Sequence, residues 1–231
     1  KEVMFKNLKN WKESEKIQSI SRHYDTFWIT LDQNTQLEFL NLMKFIENGN
    51  IKISLSISKE KDANRLCFVS NDHPGLFSKI SGALSFNGAN IVDAKTFTTK
   101  DGLVTAVFWI QDINSHPFPI EMLPKFKKTI QLSIDNKLFK KKEYEEKNKI
   151  KKKEKGFIVP TTISFDNSGS NVYTIIEVDT RDRMGLIYDL CRTLTNNNIL
   201  IYSAKIVTYG EQAVDTFYVK DIFGLKINNQ I

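Results

Sequence analysis

The chain is 231 residues long, 41% hydrophobic and 26% charged, a composition that supports a buried core in one to three small domains and excludes a disordered or fibrous polymer. Its two cysteines are too few for a disulfide scaffold or a four-cysteine zinc site, no apolar run reaches the roughly 18 residues of a membrane span, and the opening KEVMFKNLKN has no apolar signal region. The net charge of +6 comes from one place, because residues 125–155 hold 13 Lys against five acids and the rest of the chain is slightly acidic. The expectation is a cytoplasmic protein with no membrane partner, no metal and no cofactor. The first residue is Lys, not Met, which fits a fragment or a trimmed product.

In chain order, residues 1–48 read as a helical or irregular arm, too small for a catalytic domain and fitting the tail of one upstream. LEFLNLMKFIENG (37–49) carries a broad apolar stripe with Gly49 as its stop, and the aromatic-rich HYDTFWITL (23–31) fits a strand or a loop. IKISLSIS (51–58) alternates without fault and predicts a half-buried strand.

An internal repeat follows. RLCFVSNDHPGLFSKISGALSFNGANIVDAKTFTTKDGLVTAVFWIQD (65–112) and YTIIEVDTRDRMGLIYDLCRTLTNNNILIYSAKIVTYGEQAVDTFYVKD (173–221) align at an offset of 110, pairing Asp72 with Asp182, Gly75 with Gly185, Leu76 with Leu186 and Ala94 with Ala204. After one extra residue near Gly102, an offset of 109 pairs Phe108 with Phe217. Each copy predicts a strand, a helix with its apolar residues at helical spacing, and two more strands joined by a tight turn. One more helix and strand would complete βαββαβ, an α+β ferredoxin-like fold.

For the first copy those elements are expected at 119–134, a helix with Pro124 near its start, and at 157–165, a strand. The Lys-rich insertion 135–156 between them reads as a solvated helix extension or a mobile linker. The second copy, 171–231, runs through KDIFGLKINNQI and lacks both, so it is expected to be truncated after its third strand. The domain expectation is therefore an arm over 1–48, a first domain over 51–166 and an incomplete second over 171–231.

The candidate sites are the two strand-to-helix turns, NDHPGLF (71–77) and RDRMGLI (181–187). Gly75 and Gly185 leave free N–H groups and the positive end of a helix dipole open to a carboxylate. Asn71 or Asp72 suits an ammonium group, and Asn90 offers both a donor and an acceptor. The alternative is that Asp and Gly merely cap and turn. His73 has no nucleophile tied to it by motif. Cys67 and Cys191 fall on apolar positions and predict buried thiols. Glu177, Asp179 and Asp182 are explained by strand alternation and turn chemistry as well as by a metal. Arg181 and Arg183 flank Asp182 and could pair with acids on a partner copy. The segment 137–155 has 10 Lys, four Glu and no Arg, so weak, non-specific phosphate contact is expected and no specific nucleic acid partner.

DHPGLFSKISGALSFNGANIVDAKTFTTKDG and the closing AKIVTYGEQAVDTFYVKDIFGLKI resemble tandem ACT domains, and more closely the C-terminal region of the bifunctional uridylyltransferase/uridylyl-removing enzymes that modify the nitrogen-signalling protein PII. The resemblance covers about 50–228. It implies pairing of ACT units, self-association into a dimer, a PII-like protein partner, and allosteric binding of a free amino acid, glutamine first. It places the ligand at Asn71, Asp72, His73, Pro74, Gly75 and Leu76, with Asn90 facing them across the interface, and at Asp182, Arg183, Met184, Gly185 and Leu186. Met184 departs from the usual proline, and Leu200 stands where Asn90 does, so the second pocket is expected to have lost a polar partner. The family's catalytic domains have no counterpart in the sequence, so no catalytic residue is expected. The function implied is an amino-acid sensor of nitrogen regulation, or a non-catalytic interaction module with degenerate pockets.

Overall fold

The structure, a computed structural model, describes residues 1–44, 46, 51–71, 75–138, 160–183, 185–209 and 211–227. Four helices come first: α1 (Glu2–Asn7), α2 (Glu13–Ser21), α3 (Asp25–Thr30) and α4 (Gln33–Lys44). The aromatic stretch expected as strand or loop is thus helix α3. Its aromatics serve packing, with Phe27 buried and stacked on His23 at 3.8 Å between ring centroids. α4 starts four residues before the expected Leu37, because Asp32 accepts from the Thr35 N–H at 2.9 Å and so caps the helix earlier.

The first copy then supplies β1 (Lys52–Ser58), β2 (Ala63–Asn71), α5 (Leu76–Phe86), β3 (Asn90–Thr98), β4 (Leu103–Gln111) and α6 (Leu123–Ile134). The second supplies β5 (Thr162–Asp166), β6 (Thr174–Arg181), α7 (Leu186–Asn196), β7 (Leu200–Tyr209) and β8 (Gln212–Lys220). Pro124 occupies the first turn of α6, where its missing N–H costs nothing. α5 and α7 end on left-handed Gly88 and Asn198, residue types that tolerate that conformation.

All eight strands form one antiparallel sheet in the order β1-β2-β4-β3-β7-β8-β6-β5. The halves join through β3 and β7, where Ala94 faces Ala204, with Asp93 opposite Lys205 and Lys95 opposite Ser203. These are the positions the 110-residue offset equates, so a pseudo-twofold axis passes between the two alanines. Both strands bulge at matching places, between Ile91 and Asp93 and between Ile201 and Ser203.

One expectation is corrected here. The strand around 157–165 is expected in the first copy; the strand found, β5, pairs with β6, Ile163 opposite Val178 and Phe165 opposite Ile176. The edge place in the first half is taken by β1, which lies against β2. Each half thus takes its edge strand from the residues before its core, and the second half has four strands, not three. The physical reason is an available edge: β2 is already paired on both sides, by β1 and β4, and β6 needs a neighbour. What the second half lacks, among the described residues, is a counterpart of α6.

One core lies between the sheet and helices α5, α6 and α7, around Leu66, Phe68, Ile80, Leu84, Phe108 and Phe217. A second lies on the opposite face of the first half, where Phe27, Phe39 and Met43 of the N-terminal helices cover Cys67, Val69, Val107 and Trp109. The arm is therefore a packed layer of this fold. Cys67 and Cys191 are both fully buried thiols, and burial raises the pKa of each. No helix among the described residues is long and apolar enough to cross a membrane.

Candidate functional site

The antiparallel join of β3 and β7 decides which residues meet. It sets the start of β3 beside the turn that precedes α7. A cleft of about 820 Å³ opens there. The first half lines it with Asn87, Asn90, Asp112 and Phe118, the second with Asp182, Arg183, Gly185, Leu186 and Asp215.

Within this chain, Asn90 lies at the second turn and far from the first. Asn71 faces Leu103 and Asn90 faces Gln111, which are opposite ends of β4, roughly 26 Å apart at about 3.3 Å per residue. The second turn therefore keeps an asparagine neighbour, and Leu200, by the pseudo-symmetry, belongs to the place built on the first turn. The first turn does abut the second half: a Cβ on Gly75 would stand 3.1 Å from Thr195 Cγ2 of α7. Gly75 and Leu76 open α5, and Asn71 is exposed at the end of β2. Asp72, His73, Pro74 and Met184 lie outside the described residues, as does the Lys-rich segment from 139 to 159.

Gly185 sits immediately before α7 with φ 79°, in the left-handed region that disfavours a side chain. The turn closes with the Leu186 N–H donating to the Arg183 carbonyl at 3.1 Å. Arg183 Nη2 donates to Asp189 in the first turn of α7 at 2.6 Å, and Arg181 pairs with Glu211 at 3.1 Å. The two arginines expected to meet a partner copy thus pair within their own half. Asn90 is exposed at the cleft and reaches the Asp112 carbonyl at 3.4 Å, a weak bond.

Beneath the turn lies a residue that sequence reasoning missed. Asp215 is fully buried, and neither carboxylate oxygen has a hydrogen-bond partner among the described residues. Its neighbours across β8 are Val178 and Ile206, both apolar. Burial, reinforced by the nearby Asp182 charge, pushes its carboxyl up to about 7. Burial also raises the Asp182 carboxyl, with a backbone hydrogen bond from Arg183 opposing it. The signal was present in QAVDTFYVK: strict alternation puts Asp215 in line with Ala213, Phe217 and Val219, a charge on an apolar face. Chemically, the cleft juxtaposes acidic groups with a helix N-terminus, an amide and apolar walls. Among the described residues there is no group of three or more His, Cys, Asp or Glu that could hold a metal.

The fold, its pseudo-twofold repeat and the cleft at the join define a tandem of ACT-like domains. A family model described as an ACR9-like, ACT-like domain matches residues 162–230, and its start at the first residue of β5 agrees with that strand's place in the second half.

Among curated proteins the chain is 47% identical over 227 residues to the bifunctional uridylyltransferase/uridylyl-removing enzyme of Ruegeria pomeroyi, a match that covers 96% of this chain and 25% of that protein. The enzyme of the same name from Cereibacter sphaeroides is 47% identical over 223 residues (96% of this chain, 24% of the relative). That of Rhodospirillum rubrum is 32% identical over 224 residues (95% and 24%). The chain is similar to these enzymes along nearly its whole length and spans about a quarter of theirs. No solved structure matches it.

Proposed function

We propose that this chain is the amino-acid-sensing regulatory module of a PII uridylyltransferase-like protein, with glutamine as the ligand. The observation that supports this best is the cleft at the join of the two halves. It unites the glycine turn of the second copy with Asn90 of the first, so that a ligand held there touches both halves and can report to whatever they contact. A free amino acid needs an anion site, a cation site and a side-chain wall. The α7 N-terminus at Gly185 and Leu186, the acids Asp182 and Asp215, and Asn90 with Phe118 supply chemistry for each.

The first turn, with Asn71, Gly75 and Leu76 and the undescribed Asp72, His73 and Pro74, is the pseudo-equivalent place. Transfer and removal of uridylyl groups belong, by their names, to the relatives; for this chain, a cytoplasmic regulatory role toward such an activity, a PII-like partner and self-association through the ACT-like units are part of the proposal. The test is calorimetry of glutamine binding to the full chain, with other amino acids as controls. Saturable heat that weakens about tenfold or more in Asn90→Ala is expected. A folded protein that gives no heat at millimolar ligand would favour the rival interaction module.

A further inference from the structure

A buried carboxylate with no hydrogen-bond partner among the described residues demands an explanation. Inside apolar surroundings it costs several kcal/mol of roughly the kind that makes such groups rare, unless something compensates it. The fold itself does not require one at Asp215. The matching position of the first copy, at the 109-residue offset, is Ala106, which is also buried and also faces the helix layer. The same strand register is thus built without a charge in one half and with one in the other. Asp215 also stands in the wall of the cleft with Asp182, its carboxylate oxygens buried just behind the cleft surface.

We infer that Asp215, with Asp182, is the cation-recognising end of the cleft and receives the ammonium group of the ligand. The inference rests on the sensing reading above and adds to it a residue and a polarity. The ligand's ammonium group points down toward β8, and its carboxylate points toward the N–H groups that open α7.

An ammonium ion fits better than a metal. A hard metal ion would demand several further oxygen ligands, and no such cluster is found among the described residues. An ammonium has three donors, which two carboxylates and a carbonyl or amide oxygen can take up. The cleft also pairs its acidic floor with a helix N-terminus and Asn90, the complement of a zwitterion and not of a bare cation. The pairing should be strong because Asp215 is desolvated before the ligand arrives, so little hydration remains to be removed.

Binding should therefore be linked to protons. Asp182 from the turn after β6 and Cys191 from α7 act on Asp215 directly, Arg183 and Asp112 line the same cleft, and β6 and β7 present Val178 and Ile206. Arg183 is already engaged by Asp189, and the Cys191 thiol is held protonated by its burial. Asp112 already accepts from the Asn114 and His116 N–H groups, which leaves Asp215 and Asp182. Ammonium binding needs them ionised, so affinity should rise as pH rises through about 7 and protons should be released on binding below that.

The experiment compares wild type with Asp215→Asn, an isosteric change, in the full chain. Calorimetry is run with glutamine and with glutaramate, which is glutamine without its ammonium group, across pH 5.5 to 8.5. The expected result is a loss of about tenfold or more in glutamine affinity for Asp215→Asn, loss of the pH dependence, and no comparable loss for glutaramate. Equal glutamine affinity and an equal pH profile in the two proteins would overturn the inference and leave the sensing reading standing. If wild type binds no amino acid, the sensing reading fails and thermal midpoints decide the inference alone. Midpoints are then read in methylammonium chloride against sodium chloride at matched ionic strength. A rise specific to methylammonium that Asp215→Asn abolishes keeps the cation site, and the absence of any such rise overturns it.

Discussion

Two strands at matching places in the repeat are buried in opposite ways. In β4 every residue from Leu103 to Ile110 is buried, whereas β8 alternates between buried and half-exposed positions along its whole length. On the helix side the two agree: Val104, Phe108 and Ile110 match Ala213, Phe217 and Val219, and all are buried. On the other side they part, because α1 to α4 cover Val107 and Trp109 of the first half, and Thr216 and Tyr218 of the second remain half-exposed. The repeated unit therefore specifies one face of the sheet. The second face is a separate matter, decided by what the chain carries before the repeat. The sole discordant pair on the shared face is Ala106 against Asp215, and that pair sits at the cleft.

The contrast is open to direct test. Trp109 is 2% exposed within the second core, where the ammonium groups of Lys61 and Lys95 also lie over its ring at 4.8 and 5.8 Å from the centroid. Trp109→Ala should cost about 3–5 kcal/mol in denaturant unfolding, whereas Tyr218→Ala, at the same register place in the half where no outer layer is found among the described residues, should cost about 1 kcal/mol. Equal costs would mean that the N-terminal helices contribute little to the first half.

Acid-base stability sharpens the cleft side of the comparison. The folded-state carboxyl of Asp215 lies at about 7, against an ordinary 3.8. Between those values the folded chain keeps a proton that the unfolded chain has lost. This group therefore lowers stability as pH rises from about 4 to about 7, and has no further effect outside that window. At pH 8 the accumulated cost is up to roughly 4 kcal/mol. Asp215→Asn should accordingly unfold at higher denaturant than wild type at pH 8 and at nearly the same denaturant at pH 4, since neither side chain is charged in the folded chain there. A variant no more stable than wild type at pH 8 would show that Asp215 is already compensated without ligand.

Much of this architecture is legible in the residues. The offset of 110 that aligns the copies anticipates the axis at Ala94 and Ala204, because a repeat that pairs with itself must do so at equivalent positions. The apolar spacing of Leu76, Ile80 and Leu84 gives α5, and that of Leu186, Leu190 and Leu194 gives α7. Other features lie beyond single-sequence reasoning. TISFD at 162–166 has the pattern of a strand, but nothing in it says which half has a vacant edge. HYDTFWITL carries no period, since Phe27 and Trp28 pack into a core formed with residues of β2 and β4 far along the chain while Tyr24 stays exposed. The meeting of Asn90 with Asp182 follows from the antiparallel join, which two copies in one sequence do not reveal. Asp215 could have been found by asking which charge breaks an apolar face.

The central claim is that ligand binds at the join, between the second turn and the start of β3. Hydrogen exchange of the full chain with and without millimolar glutamine tests it most directly, because it reports position as well as binding. The account predicts added protection over residues 87–92 and 185–190 together, with little change in the outer β1 or in α1 to α4. Protection confined to the first turn near Gly75 and the start of β7, with 87–92 and 185–190 unchanged in the presence of bound glutamine, would contradict it.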